Sequence, residues 1–243
     1  MSGSGPADFQ TTNWQLLSAL HYADQNRAEA ALNQLAQVYW PPIYAYLRRK
    51  GFHQDDAADL TQGFFADVVL ARELLHHARP AATRLRSLIL TALKRFLVDQ
   101  HRRRRARGRH RFLTNSSVSA EEEAHQYGMR EDDSTSAFDR RWAVALLEAS
   151  LRSCQRRFEQ SGRHRHWKLF EERIVRPMEF GTAPPPIDEL AETLGFVSAA
   201  HATSALQVVR KSVRTMLRDA VRETVADPND CEDEIEYILG LLG

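Results

Sequence analysis

Cysteine is nearly missing from this chain. The two present in 243 residues, Cys154 and Cys231, are too few and too far apart for a disulfide framework or a thiolate pair, which fits a reducing compartment. No apolar run approaches the roughly 20 residues of a membrane-spanning helix. The start, Met1-Ser2-Gly3-Ser4-Gly5-Pro6, lacks the basic and apolar regions of a secretory signal. A soluble cytoplasmic chain, disordered over residues 1–13 and without a membrane partner, is expected. Strand-like alternation is almost absent as well, whereas helical periodicity recurs. There is no Gly-rich phosphate loop, no nucleophile elbow and no pair of carboxylates in an apolar setting. His164, His166 and Cys154 have no fourth ligand at metal spacing. The expectation is therefore a protein with no catalytic residues, no metal and no cofactor. Neither sign of charge dominates: a formal net charge of +1 by itself argues against a general polyanion binder.

What is present is unevenly placed. Residues 102–111 hold seven arginines and no acid, while Glu121, Glu122, Glu123, Glu131, Asp132 and Asp133 crowd the stretch that follows. Local fields of this kind steer a phosphate backbone even where net charge does not.

The periodicity predicts helices throughout. Trp14, Leu17 and Leu20 begin a first helix. Ala30 to Lys50 makes a second, bent at Pro41-Pro42 and stopped by Gly51. Asp55 or Asp56 caps a third that runs to about His76. The fourth carries Leu85, Leu88, Ile89, Ala92, Leu93, Phe96 and Leu97 at i, i+3, i+4, i+7, i+8, i+11 and i+12, a single buried stripe, with Arg86, Lys94, Arg95 and Arg102 on other faces. Residues 108–137 read as a flexible acidic linker. Helices resume at Phe138, with Leu147, Leu151, Cys154 and Phe158 on a core face, and again over Trp167 to Phe180. After Pro184-Pro185-Pro186 comes a helix-turn-helix pattern. Ile187, Leu190, Ala191 and Leu194 form its first helix, and Gly195 permits the turn. The second helix buries Ala202, Leu206, Val209 and Val213 and exposes Thr203, Gln207, Arg210 and Arg214.

Several readings of these residues stay open. Asp55, Asp56 and Asp59 suit a basic partner surface, or simply the positive end of a helix dipole. Phe64, Phe65, Val68 and Val69 cover too wide an arc to face a partner together; they are core, with room for one to be exposed. The Arg102–Arg111 run tracks phosphates or is a solvated basic tail; steep salt dependence would mark the first. Arg95 and Asp99, four apart, also suit an intrahelical ion pair. In the acidic tail, Ile235, Ile238, Leu239 and Leu242 fall at helical spacing. That tail either caps the last domain, the favoured reading, or is a regulatory element that masks a basic surface or binds a partner protein.

Over nearly all of its length after residue 13, the chain resembles bacterial sigma factors of the extracytoplasmic-function (ECF) class. The segment Tyr39-Trp40-Pro41-Pro42-Ile43-Tyr44-Ala45-Tyr46-Leu47-Arg48-Arg49 is similar to an ECF-like subgroup. The resemblance implies an all-α protein of two helical domains. These are a region-two-like domain over 14–107 and a region-four-like helix-turn-helix domain over 138–223. The linker 108–137 joins them, and an acidic tail with a short amphipathic helix follows over 224–243. Asp59-Leu60-Thr61-Gln62 matches the family's Asp-Leu-Thr-Gln, and Phe65 its aromatic. This implies that Asp56, Asp59, Leu60, Thr61, Gln62 and Phe65 dock on the clamp helices of the polymerase beta-prime subunit. Gly63 stands where the family usually has an acid.

Leu85 to Arg105 aligns without gaps to the family's minus-ten recognition helix. This implies that Arg84, Arg86, Lys94, Arg95, Arg102, Arg103, Arg104 and Arg105 meet minus-ten DNA, with Leu88 in place of a usual tryptophan and Arg95 in place of a usual asparagine. The family holds a flipped base near the loop His76 to Arg84, where this chain has no aromatic beyond two histidines. At the minus-thirty-five element, Ser198, His201, Thr203, Ser204 and Gln207 suit base edges, and Arg210, Lys211 and Arg214 suit the backbone. The spacing from Leu194 to Arg210 is one residue longer than usual.

The implied function is promoter-specific transcription initiation as a sigma subunit, with core RNA polymerase and promoter DNA as partners and room for an anti-sigma factor or other regulator. Two alternatives remain: a stand-alone helix-turn-helix regulator, which has no need of the Asp-Leu-Thr-Gln segment, and a helical adaptor that touches only proteins.

Overall fold

The structure is a computed structural model that describes residues 25–70, 84–108 and 131–242. Every element named among these residues is helical, and the one β feature is an isolated bridge between Arg84 and Val225. The chain divides into two compact units, Met1–Ala145 with Val221–Gly243, and Leu146–Ala220. The division falls inside two helices, whereas the resemblance implies boundaries at 107/138 and 223/224.

In the first unit, α1 spans Gln25–Arg49 and contains Pro41 and Pro42. The prolines cannot donate to the carbonyls of Gln37 and Val38. The helix is held on both sides of that gap by Leu35, Val38, Tyr39, Ile43, Tyr46 and Leu47, all buried at helical spacing. It stops where expected: Gly51 has φ 101°, and the N–H groups of Gly51 and Phe52 reach back to the carbonyls of Arg48 and Leu47, both at 3.1 Å. The helix expected around Trp14, Leu17 and Leu20 lies outside the described residues.

Helix α2 spans Gln54–Phe64 and continues as a π-helical segment, Phe65–Leu70. Its N-cap is His53, without a side-chain cap bond, and not Asp55 or Asp56. Both aspartates lie in the first turn, where the dipole favours negative charge. Ala57, Leu60, Thr61 and Phe64 form its inward stripe. Residues 71–83, including the expected end near His76, lie outside the described part.

Helix α3, Leu85–Gly108, buries the predicted stripe from Leu85 to Phe96. Arg86 and Leu90, four apart, are buried too, so the first two turns are covered on a second side.

Helix α4, Glu131–Gln160, begins seven positions before Phe138, so 131–137 is helix and not linker. Asp132 and Asp133, expected in the linker, lie on this helix and are exposed. Residues 109–130 of the expected linker are outside the described part. Within the first unit α4 contributes the fully buried Phe138, Trp142 and Ala143.

The second unit holds the helix expected over Trp167 to Phe180 as three consecutive pieces: α5 (His164–Phe170), a π-helical segment (Glu171–Val175) and α6 (Arg176–Phe180). Then come α7 (Ile187–Thr193) and α8 (Ala199–Arg222). Cys154, Phe158, Trp167, Leu169, Phe170, Leu190, Ala191, Ala202, Leu206 and Val209 share one core. Leu147, expected in the core, is half-buried, and its neighbour Leu146 takes the inward position. The turn of the helix-turn-helix closes as Gly195 takes φ 70° and the Phe196 N–H reaches the Ala191 carbonyl at 2.8 Å.

Helix α9, Cys231–Leu242, follows a short 3-10 turn, Pro228–Asp230, whose Asn229 N–H is accepted by the Asp227 side chain. The expected role as a cap on the second domain gives way here: α9 groups with the first unit. Its inward residues are Cys231, Glu234 and Ile238, whereas Leu239 and Leu242 of the expected stripe are exposed.

Candidate nucleic-acid interface

The first unit presents two chemically opposite surfaces. Along α2, the outward positions are Asp55, Asp56, Asp59 and Gln62, all exposed. The same helical period that exposes them turns other motif residues inward. Leu60 and Phe65 are each 7% exposed and Thr61 is fully buried, its hydroxyl donating to the Ala57 carbonyl at 2.7 Å. Leu60, Thr61 and Phe65 are therefore core residues and not contact residues as expected. Phe65 stacks on Trp40 with ring centroids 5.9 Å apart and meets Phe64 edge-on. Gly63 faces Phe96 of α3, and a Cβ there would meet Phe96 Cζ at 3.4 Å, an ordinary contact.

A groove of about 430 Å³ runs beside α3. Lys94, Arg95, Arg102 and Arg103 line it with Asp67 and Asp99, over Val68, Ala92, Phe96 and Val98. At about 100° per residue Arg95 and Arg102 share one face of the helix, with Lys94 and Arg103 flanking it on either side. Arg102 lies 3.6 Å from Asp99 and Arg103 3.7 Å from Asp67, with all four side chains at least half exposed. Exposed pairs at that length contribute little and yield readily to a phosphate. Asp99 thus pairs with Arg102 and not, as the four-residue spacing suggested, with Arg95. Arg104 and Arg105 continue the same helix.

Arg84 and Arg86 do not belong to that groove. Arg86 is 8% exposed. Its Nε donates to Glu234 Oε1, and its Nη1 donates to Asp139 Oδ1 at 2.8 Å. The guanidinium lies 4.3 Å from the Tyr237 ring centroid and 5.5 Å from that of Trp142. Burial alone would lower its pKa, but the Glu234 hydrogen bond and the charges of Asp139 and Glu234 outweigh this, and it is raised above the ordinary arginine value. Arg84 Nε is 3.1 Å from Glu234 Oε2, with 28% of its side chain exposed. The expected DNA role of Arg86 is corrected accordingly: its donors are spent inside the unit. The Tyr237 hydroxyl completes the cluster by donating to Asp139 Oδ2 at 2.7 Å. Sequence reasoning missed this cluster because Glu234 was counted with the acidic surface of the tail. The usable signal was its register with Cys231 and Ile238 on one helix face.

In the second unit, α8 and the residue before it expose Ser198, His201, Thr203, Ser204, Gln207, Lys211 and Arg214, with Arg210 half-buried. Several have local duties. The Ser198 hydroxyl accepts from the His201 N–H at 3.2 Å as the helix cap. The hydroxyls of Thr203 and Ser204 donate to the carbonyls of Ala199 and Ala200. Gln207, Lys211 and Arg214 follow at i, i+4 and i+7 along the outer face. His201 meets Phe196 edge-on at 5.6 Å, and Phe196 in turn meets His166 at 5.8 Å.

His166 has its pKa lowered from 6.5, first by burial and then by the charges of Arg163 and His201. The folded state therefore holds fewer protons on this group than the unfolded chain. Its contribution to stability is complete above pH 6.5 and is lost as pH falls through and below that value. Thermal melts of the full chain between pH 5 and 8 are expected to show this loss, and His166→Gln should flatten the profile. An unchanged profile in the variant would contradict the assignment.

Among the described residues, no helix is long and apolar enough to cross a membrane. Comparison of the chain with protein-family models, curated proteins and solved structures finds no match.

Proposed function

We propose that this protein is a sigma-type subunit that binds core RNA polymerase and directs it to promoters in the cytoplasm. The observation that carries this reading is the pairing, within one helical unit, of an exposed Asp56–Asp59–Gln62 face with a basic groove along α3. A surface for protein and a surface for nucleic acid on one small unit is what a subunit bridging the two requires. Polymerase docking would rest on Asp56, Asp59 and Gln62. Minus-ten DNA would meet Lys94, Arg95, Arg102, Arg103 and the helix onward through Arg105. The α7–α8 helix-turn-helix would set Gln207, Arg210, Lys211 and Arg214 with the first turns of α8 toward the minus-thirty-five element in the major groove. Residues 108–130 would link the two binding functions. No hydrolysis enters: binding energy opens the strands, at a cost of a few kcal/mol for each unstacked base.

The test is co-migration of the purified chain with core RNA polymerase in size exclusion at physiological salt. A stoichiometric complex is the expected outcome. A chain that binds duplex DNA but never migrates with core would contradict it. That result would favour a stand-alone regulator, a reading that the exposed polar face of α8 supports by itself.

A further inference from the structure

We propose that the segment Val221–Leu242 is a strap that fixes the start of the DNA-reading helix α3, with Glu234 and Arg86 as positioning residues. The inference rests on the proposed function for its consequence, but its geometry stands independently. Three kinds of contact hold the strap. On the backbone, the Leu85 N–H donates to the Thr224 carbonyl at 2.9 Å, and Arg84 bridges Val225. The first N–H groups of a helix have no partner within it, so a carbonyl from the strap caps α3 from outside. In the polar core, Glu234 takes Arg86 and Arg84 together, and Asp139 takes Arg86 and Tyr237. In the apolar contact, Val221 and Ile238 are fully buried and Val225 and Cys231 nearly so.

These contacts suit permanent positioning and not a removable cover. Glu234 is 0% exposed, and a buried charge released from its partners is strongly unfavourable. The strap also redefines which arginines read DNA. Arg84 and Arg86 anchor the helix, and reading begins at Lys94, further along the same rigid element. At about 1.5 Å rise per residue, Arg103 lies roughly 25 Å beyond Arg86, so a tilt of about 10° at the anchor would move it by about 4 Å. A shift of that size breaks phosphate contacts.

The experiment uses the full chain, with three readouts: amide exchange of residues 84–90, affinity for core polymerase, and permanganate reactivity of promoter DNA in the assembled complex. Glu234→Ala is expected to lower protection of 84–90 by about a hundredfold, the loss that follows from stripping one partner from a buried charge pair. Promoter opening should fall with it, while core affinity, carried by α2, stays unchanged. The apolar replacement Arg86→Met/Asp139→Asn/Glu234→Leu is expected to restore both protection and opening. Should Glu234→Ala fail to fold, Tyr237→Phe removes one hydrogen bond and is expected to give a several-fold loss in the same two readouts. Unchanged protection in the folded Glu234→Ala or Tyr237→Phe chain would overturn the strap. Restored protection without restored opening in the triple variant would overturn the positioning role and return Arg86 to the DNA contact. A wild-type chain that opens no promoter would remove the proposed function, and the exchange measurement would still decide the strap.

Discussion

Asp59→Ala/Gln62→Ala is expected to weaken binding to core RNA polymerase by about a hundredfold or more while leaving the fold intact. Both residues are exposed on α2, between the inward positions Ala57, Leu60, Thr61 and Phe64. Truncating them removes no core packing, and surface changes of this kind usually alter stability by within about 0.5 kcal/mol. Binding behaves differently. A few residues near the centre of an interface carry most of its energy, about 2 kcal/mol or more each, and two such truncations compound to at least that factor. Titration of labelled variant against core polymerase, beside a thermal melt, separates the two effects. Equal affinity for wild type and variant would show that this face does not dock. By contrast, Leu60→Ala or Phe65→Ala should act through stability, at about 2–5 kcal/mol, because those side chains are in the core.

The second large effect is on DNA. Arg95→Ala/Arg102→Ala/Arg103→Ala is expected to lower promoter affinity of the assembled complex and to flatten its salt dependence. Each phosphate no longer neutralised should reduce the slope of log affinity against log salt by about 0.9, so three give a change of roughly 2–3. The side chains of Arg102 and Arg103 are 76% and 62% exposed, and their ion pairs to Asp99 and Asp67 are long. Their removal should therefore cost the fold little. Fluorescence anisotropy over salt concentrations from about 50 to about 300 mM measures the slope directly. A slope that does not change in the variant would move the DNA contact away from this groove. Arg86→Ala should separate cleanly from this set, because it leaves buried Asp139 without its cation and buried Glu234 with Arg84 alone, and so acts through the fold.

Much of the helical content was legible in the residues. The α3 stripe is a continuous apolar pattern from Leu85 to Leu97, and periodicity alone marks such an element. Gly51 and Gly195 were legible because each occupies a positive-φ position that ends a helix. Asp59 and Gln62, both exposed on α2, were reached through the Asp-Leu-Thr-Gln resemblance and not through periodicity. The failures have physical causes too. Phe65 was given an exposed role although aromatic burial against Trp40 and Phe64 dominates at that site. The helical state of 131–137 was hidden because an acidic run reads as linker as readily as it reads as helix. Arg86 and Glu234 are 148 positions apart, and no local pattern announces that two charged residues will neutralise one another in a core. Charge was read as surface, and here the exceptions were the residues that tie α9 to α3.

The central claim is that one chain supplies both the polymerase contact and the promoter contact. Run-off transcription with purified core polymerase over a promoter library tests it most directly, with wild type, Asp59→Ala/Gln62→Ala and Arg95→Ala/Arg102→Ala/Arg103→Ala compared in parallel. The account predicts a discrete set of transcripts that requires the wild-type chain and disappears in both variants, the first through failed assembly and the second through failed promoter binding. Absence of chain-dependent transcripts, or transcripts that survive both sets of substitutions, would contradict it.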